Sequence, residues 1–132
     1  MASINNPELT VTTNRPVDRA NVLVSCDIGF SDVEVNPMNM LGLQYTLTCQ
    51  VLNKEWLDEE PVITYRQMVF PRLPREAQRN EHVVFDTYEG MDSLHDRLIG
   101  KDKLVAKLTI SNEETHETAS ARTETIAVDL AA

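Results

Sequence analysis

The stretch Lys103-Leu-Val-Ala-Lys-Leu-Thr-Ile110 alternates between two kinds of position. One parity is entirely apolar and consists of Leu104, Ala106, Leu108 and Ile110. The other parity carries Lys103, Lys107 and Thr109, with Val105 as its apolar member. A period of two residues is typical of a β-strand that has one face in a core and one face in water. The stretch therefore predicts a half-buried strand.

The same period recurs along the chain and predicts an all-β protein. Short strands at roughly even spacing, with little helix between them, are typical of an antiparallel β-sandwich made of two sheets, and we expect one that is immunoglobulin-like or C2-like. We expect about seven to eight strands and one short helical turn in a single domain that spans residues 1–132. The clearest predicted strands are Leu9–Thr13, Ala20–Ser31, Leu43–Trp56, Val62–Phe70, Glu81–Thr87, Lys103–Ser111 and Arg122–Leu130.

Three segments between the predicted strands are predicted to have other structures. Asp32–Gly42 contains one proline, two asparagines and a glycine, and is predicted to be a loop. Pro71–Asn80 holds two prolines and three arginines and is predicted to be a flexible excursion. Asp92–Gly100 is predicted to be the short helical turn, because Asp92 can cap it and Gly100 can end it.

Shared parity on the strands also predicts which side chains form the core. The expected core residues are Val22, Val24, Ile28, Leu43, Leu47, Leu104, Leu108, Ile126 and Val128. Three apolar residues, Val105, Leu23 and Leu52, fall on the outward parity of their strands. If such residues align across neighbouring strands, they form a patch that marks an interface.

Composition and charge narrow the possible environments and partners. The formal net charge is -9, which makes nucleic acid an unlikely partner for electrostatic reasons. The chain has no apolar run long enough for a transmembrane helix. Its first residues lack the basic and apolar regions of a signal peptide. We therefore expect a cytoplasmic protein, with non-classical secretion as the alternative.

Cys26 and Cys49, the two cysteines, both fall on the core parity of their strands. If the two strands are neighbours or face each other, the thiols could lie within disulfide range, as in the bridge between the sheets of immunoglobulin-like sandwiches. The other interpretation is a pair of buried free thiols, which a cytoplasmic setting favours. The sequence leaves both open.

One acidic segment is a candidate cation site. Hard cations such as Ca²⁺ prefer several oxygen ligands from a loop, and such a loop can lie at the end of a sheet. The candidate ligands are Asp86, Glu89, Asp92, Asp96 and Asp102. The run Asp96-Arg-Leu-Ile-Gly100 after these acids resembles the calcium loop of C2 domains, which are also β-sandwiches. That resemblance covers about fifteen residues, lacks the closely spaced Asp-x-Asp ligands of the family, and implies a Ca²⁺-dependent binding module.

No catalytic motif stands out. The sequence has no Gly-x-Ser-x-Gly elbow and no glycine-rich phosphate loop, and His82, His95 and His116 match no metal-ligand spacing. We therefore expect a non-catalytic structural or protein-interaction sandwich that self-associates, through an outward patch or through the last strand. The alternatives are the C2-like calcium module and a small enzyme whose site is assembled from scattered residues.

Overall fold

The computed structural model describes residues 1–54, 58–94 and 101–130, and it confirms the predicted antiparallel β-sandwich. Strands are numbered in chain order. Those within the described residues are β1 (Ser3–Asn14), β2 (Arg19–Gly29), β3 (Tyr45–Lys54), β4 (Glu59–Thr64), β5 (Met68–Phe70), β6 (Asn80–Gly90), β7 (Asp102–Asn112), β8 (Thr118–Arg122) and β9 (Ile126–Val128).

The strands form two sheets. The smaller sheet has the order β1-β2-β6, and the larger has the order β4-β3-β7-β8. In the larger sheet β5 also pairs with β3, and β9 also pairs with β7. β4 and β5 therefore pair with the same side of β3, and β8 and β9 pair with the same side of β7. The described strands are more numerous than the seven to eight predicted, because each outer side of the larger sheet is formed by two short strands instead of one long strand.

The core lies between the sheets, where parity predicted it. Six of the expected core residues are fully buried: Val22, Val24, Ile28, Leu47, Leu104 and Leu108. The other three, Leu43, Ile126 and Val128, are partly buried and pack against the edge of the core. Phe30 closes one end, with its ring centroid 5.1 Å from that of Tyr45 and 5.7 Å from that of Phe70.

The prediction of a loop over 32–42 is wrong, because this segment forms the helix α1 (Asp32–Leu41). The Ser31 backbone N–H and hydroxyl both donate to Glu34 Oε1, at 2.9 and 3.0 Å. Gly42 ends the helix with φ 72°, a left-handed conformation that glycine adopts at little cost. A capping box and a terminal glycine therefore outweigh Pro37, which lies inside the helix.

The excursion over 71–80 is held against α1 and is not a free loop. Asn39 Nδ2 donates to the Ala77 carbonyl at 3.3 Å, and the Ala77 N–H donates to Asn39 Oδ1 at 2.8 Å. Arg79 forms an ion pair with Asp32 at 2.6 Å. These contacts bury Ala77 and tie the segment to the helix.

Two further helical segments are short. A 3-10 turn covers Arg15–Val17, and α2 covers Met91–Leu94. The remainder of the helical turn predicted over 92–100 lies outside the described residues. Among those that are described, no helix has the length and apolar character needed to cross a bilayer.

The outward apolar residues are less exposed than their parity predicts. Val105 and Leu52 are register partners on β7 and β3, and they are only 2% and 6% exposed. Leu23 is partly buried. Parity assigns a side chain to a face of the sheet, but the rest of the chain decides whether that face is covered. Val105 and Leu52 therefore do align across neighbouring strands, but they are buried and form no exposed patch.

Candidate functional site

The structure places four of the five predicted calcium ligands on β6, α2 and β7. Asp86 is exposed on β6, and Glu89 is partly buried near the end of the same strand. Asp92 is exposed on α2, whereas Asp102 is fully buried at the start of β7. Asp96 lies outside the described residues.

Asp102 participates in a buried polar contact between elements. Asn53 Nδ2 donates to Asp102 Oδ1 at 3.0 Å and to the Leu94 carbonyl at 2.8 Å, which joins β3, β7 and α2. In residues 1–54, 58–94 and 101–130, no group of three or more His, Cys, Asp or Glu side chains is placed to hold a metal ion. The calcium site stays a prediction. It is tested by comparing the melting temperature in millimolar Ca²⁺ with that in a chelator, since bound Ca²⁺ should raise it.

The cysteines are free and buried. Burial raises the pKa of the Cys26 thiol to about 11 and that of the Cys49 thiol to about 12. Both groups are therefore neutral near pH 7, and a neutral thiol is a poor nucleophile. Of the two interpretations that the sequence left open, the structure has the free thiols.

The edges of the sheets are the most informative surface. A strand at an edge has unpaired backbone groups that can template pairing with another chain, and natural sheets blunt such edges with proline, bulges, lysine or short length. On the smaller sheet, β1 carries Pro7, a register shift between Asn5 and Glu8, and Asn6 with φ 51°. This edge is therefore interrupted.

The outer strands of the larger sheet are blunted as well. β4 contains Pro61 and has a register shift where it pairs with Val51 and Leu52. β8 has five residues, and β5 and β9 have three each. None of these strands offers a long continuous template.

Strand β6 differs from all of them. Its eleven residues pair with β2 in one uninterrupted register, from Arg19 opposite Gly90 to Gly29 opposite Asn80. It contains neither proline nor lysine. Within the described part of the chain, no strand pairs with its other side. β6 is thus a long, continuous edge strand.

One end of this edge is already occupied. Arg72 Nη2 donates to the His82 carbonyl at 3.0 Å, and the neighbouring Glu81 is buried and paired with Arg75. Backbone groups two residues apart in a strand point to the same side. The N–H and C=O groups of Val84, Asp86 and Tyr88 therefore point away from β2, as the His82 carbonyl does. We call residues 84–89 on this side the open edge.

A groove of about 390 Å³ runs beside the open edge, between β6 and the end of β4. Tyr65 and Phe85 form its aromatic floor, with ring centroids 5.3 Å apart. Tyr65 Oη donates to the Val22 carbonyl at 2.7 Å, which fixes the floor to the smaller sheet. The remaining lining residues are Ile63, Thr64, Arg66, Val84, Asp86, Thr87 and Glu89.

The side chains of the open edge combine apolar surface with negative charge. Val84 is 47% exposed and Tyr88 is 51% exposed, although both are large and hydrophobic. Asp86 lies between them on the same face, and Glu89 follows at the end of the strand. Alternation over 81–87 predicted the strand, but it gave no sign that one side would lack a partner. The absence of proline and lysine from β6 was the available signal.

Comparisons with known proteins give the chain no family. No protein-family model matches it. No curated protein matches it either. Among solved structures, the chain is similar to the "Putative ApaA Protein from Bordetella pertussis", at 4% identity and TM-score 0.40, over 97% of this chain and 90% of that one. It is also similar to a Northeast Structural Genomics Consortium target, SoR45, at 6% identity and TM-score 0.36, over 97% and 84%.

Proposed function

We propose that this chain is a non-catalytic protein-binding β-sandwich that accepts an extended polypeptide segment as an extra strand beside β6. The observation that carries the proposal is the contrast between edges: β6 is long, continuous and uninterrupted, while the other edge strands are short or broken. An unprotected edge strand can pair non-specifically with other chains. The presence of such a strand in a protein is best explained by a partner that covers the edge.

The open edge offers both parts of strand-addition recognition. In this mode, backbone hydrogen bonds supply affinity and contacts with alternate side chains supply specificity. At the open edge, the backbone groups of Val84, Asp86 and Tyr88 can form the hydrogen bonds that supply affinity. The exposed Val84 and Tyr88 side chains, together with the groove above Tyr65 and Phe85, supply the side-chain contacts that give specificity.

Self-association is not part of this proposal. The two surfaces expected to mediate it were Val105 and the terminal strand ending at Leu130, and both residues are buried within the chain. The structure tests neither self-association itself nor the alternative of a small enzyme, and the charge and side chains of β6 lead us to expect a monomer instead.

A backbone-directed experiment tests strand addition. The probe is a capped neutral peptide, Thr-Val-Thr-Gln-Thr-Val-Thr, titrated to millimolar concentration into the isotope-labelled protein. We expect its binding to shift the amide resonances of residues 84–89 and to slow their hydrogen exchange. The same peptide N-methylated at its second, fourth and sixth residues should not bind, because those N–H groups would pair with β6.

A matched pair of variants places the site. Val84→Pro removes an N–H from the open edge without removing a bond to β2, whereas Val84→Ala shortens the side chain and keeps that N–H. We expect the proline variant to lose peptide binding and the alanine variant to keep most of it. Equal binding by the methylated peptide, or no response of residues 84–89 to the unmodified one, would contradict the proposal.

A further inference from the structure

We infer that the segment bound at the open edge comes from a different polypeptide and carries a cationic side chain between two apolar ones, in the order apolar-x-Lys/Arg-x-apolar. This inference rests on the proposed function and names the chemistry of its partner. It is carried by the order of side chains along one face of β6.

Side chains at alternate positions of a strand share a face, and each meets the residue directly opposite on an added strand. Along the outer face of the open edge the order is Val84, Asp86, Tyr88. Apolar residues opposite Val84 and Tyr88 would cover their exposed surfaces. A lysine or arginine opposite Asp86 would pair with its carboxylate, since opposite charges stabilise cross-strand pairs and like charges destabilise them.

The surroundings of the open edge strengthen the preference for positive charge. Residues 84–89 contain two carboxylates, Asp86 and Glu89, and no lysine or arginine. Arg66 is the cation among the described residues that line the groove. Outside the groove, the Arg19 guanidinium lies 5.6 Å from the centroid of the Tyr88 ring. Asp86 and Glu89 line the groove together with Tyr65. Burial raises the pKa of Tyr65, and the negative charge of these two carboxylates adds to that rise.

The same order of side chains disfavours a second copy of this chain. A symmetric pair of β6 strands must run antiparallel about a central residue. Centring the pair on Asp86, which joins Val84 to Tyr88, places the two Asp86 carboxylates directly opposite each other. Centring it nearer the start of β6 requires the His82 carbonyl, which Arg72 occupies. Centring it on Thr87 or Tyr88 avoids both problems, but it places no lysine or arginine opposite either Asp86. Each copy also carries a net charge of -9.

A charge series tests the inference. The three probes share one apolar pattern and differ at the fourth residue: Thr-Val-Thr-Arg-Thr-Val-Thr, its glutamine version and its glutamate version. We expect the arginine peptide to bind wild-type protein about threefold to tenfold more tightly than the glutamate peptide at low salt. Asp86→Lys should reverse that order, and Asp92→Lys, at an exposed acid on α2, should leave it unchanged.

The outcomes separate this inference from the proposed function. If all three peptides bind equally, and N-methylation still abolishes binding, strand addition stands and the cationic preference is wrong. If N-methylation has no effect on any peptide, strand addition itself is wrong. A dimer in solution that Val84→Pro converts to a monomer would overturn the inference, because a second copy would then occupy the edge.

Discussion

At the scale of single residues, Val105 illustrates how burial departs from sequence pattern. It lies on the polar parity of β7, between Lys103 and Lys107, and yet it is 2% exposed. Its register partner Leu52 is buried as well. An apolar residue on a nominally wet face therefore contributes to stability, and a substitution that pattern alone would judge harmless is expected to be damaging.

We expect Val105→Lys to lower the free energy of unfolding by at least about 2 kcal/mol, because it removes a buried apolar side chain and forces a charge into that position. The control is Lys107→Ala, on the same face but exposed, which should change stability by less than about 0.5 kcal/mol. Denaturant melts measure both. A nearly neutral Val105→Lys would mean that this part of the face is open to water.

Glu34 is a buried carboxylate whose titration should affect stability. Burial raises the pKa of this carboxyl, but hydrogen bonds from the Ser31 N–H, the Ser31 hydroxyl and the Tyr45 hydroxyl outweigh that effect. The pKa therefore lies below the ordinary value of 4.5. A lowered folded-state pKa contributes stability that is present above the unfolded pKa and is lost as the pH falls through the folded one.

We expect Glu34→Gln to be less stable than wild type at pH 7, with a smaller further loss between about pH 5 and pH 3, because the variant has no proton to take up there. Glu60→Gln, at an exposed position on β4, serves as the control and should follow wild type. Thermal melts across this range give the comparison. The idea fails if Glu34→Gln loses stability with acid as steeply as wild type.

The thiols of Cys26 and Cys49 should resist alkylation in the folded protein. With pKa values of about 11 and about 12, Cys26 and Cys49 are almost entirely protonated at pH 8. Both are also buried. We expect iodoacetamide to modify neither in the native protein and both in guanidinium, with mass spectrometry as the measurement. Rapid labelling of the native protein, at a rate near that of free glutathione, would contradict the buried positions.

At the scale of elements, β6 should show its unpaired side directly. The amides of Val84, Asp86 and Tyr88 point away from β2, whereas those of Phe85 and Thr87 pair with it. We expect the first group to exchange with solvent hydrogen faster than the second, measured residue by residue by NMR. Val24 on the central strand β2, paired on both sides, is the protected reference. Uniform protection along 84–88 would mean that the open edge is covered in the free protein.

The elements also differ in how far sequence alone predicts them. Strands with one buried face, such as β2 and β7, follow from their alternation because the pleat places every second side chain on the same side. The helix α1 was missed because Pro37 and two asparagines resemble loop composition. Its capping box, Ser31-x-x-Glu34, and its terminal Gly42 were visible in the sequence and are signals of a helix.

At the scale of the whole molecule, the net charge and the side chains of the β6 edge together predict a monomer. A net charge of -9 repels a second copy, and self-pairing of β6 either brings the two Asp86 carboxylates together or leaves each without a lysine or arginine opposite. We expect light scattering at several hundred micromolar to give the monomer mass of 14.9 kDa, in both low and moderate salt. A dimer under these conditions would support the self-association expected from the sequence.

The sequence by itself determined the fold class of this protein and most of its core. Those properties follow from local alternation, because a strand that buries one face must place apolar residues at every second position. The same patterns could not show which strand would lie at an edge, since pairing joins residues far apart in the chain. Only the tertiary structure decided that β2 is the one described strand with which β6 pairs, and that Asp86 and Glu89 line a groove with Tyr65. It also decided that Val105 is buried, because coverage of a face depends on the elements packed over it and not on the strand's own residues.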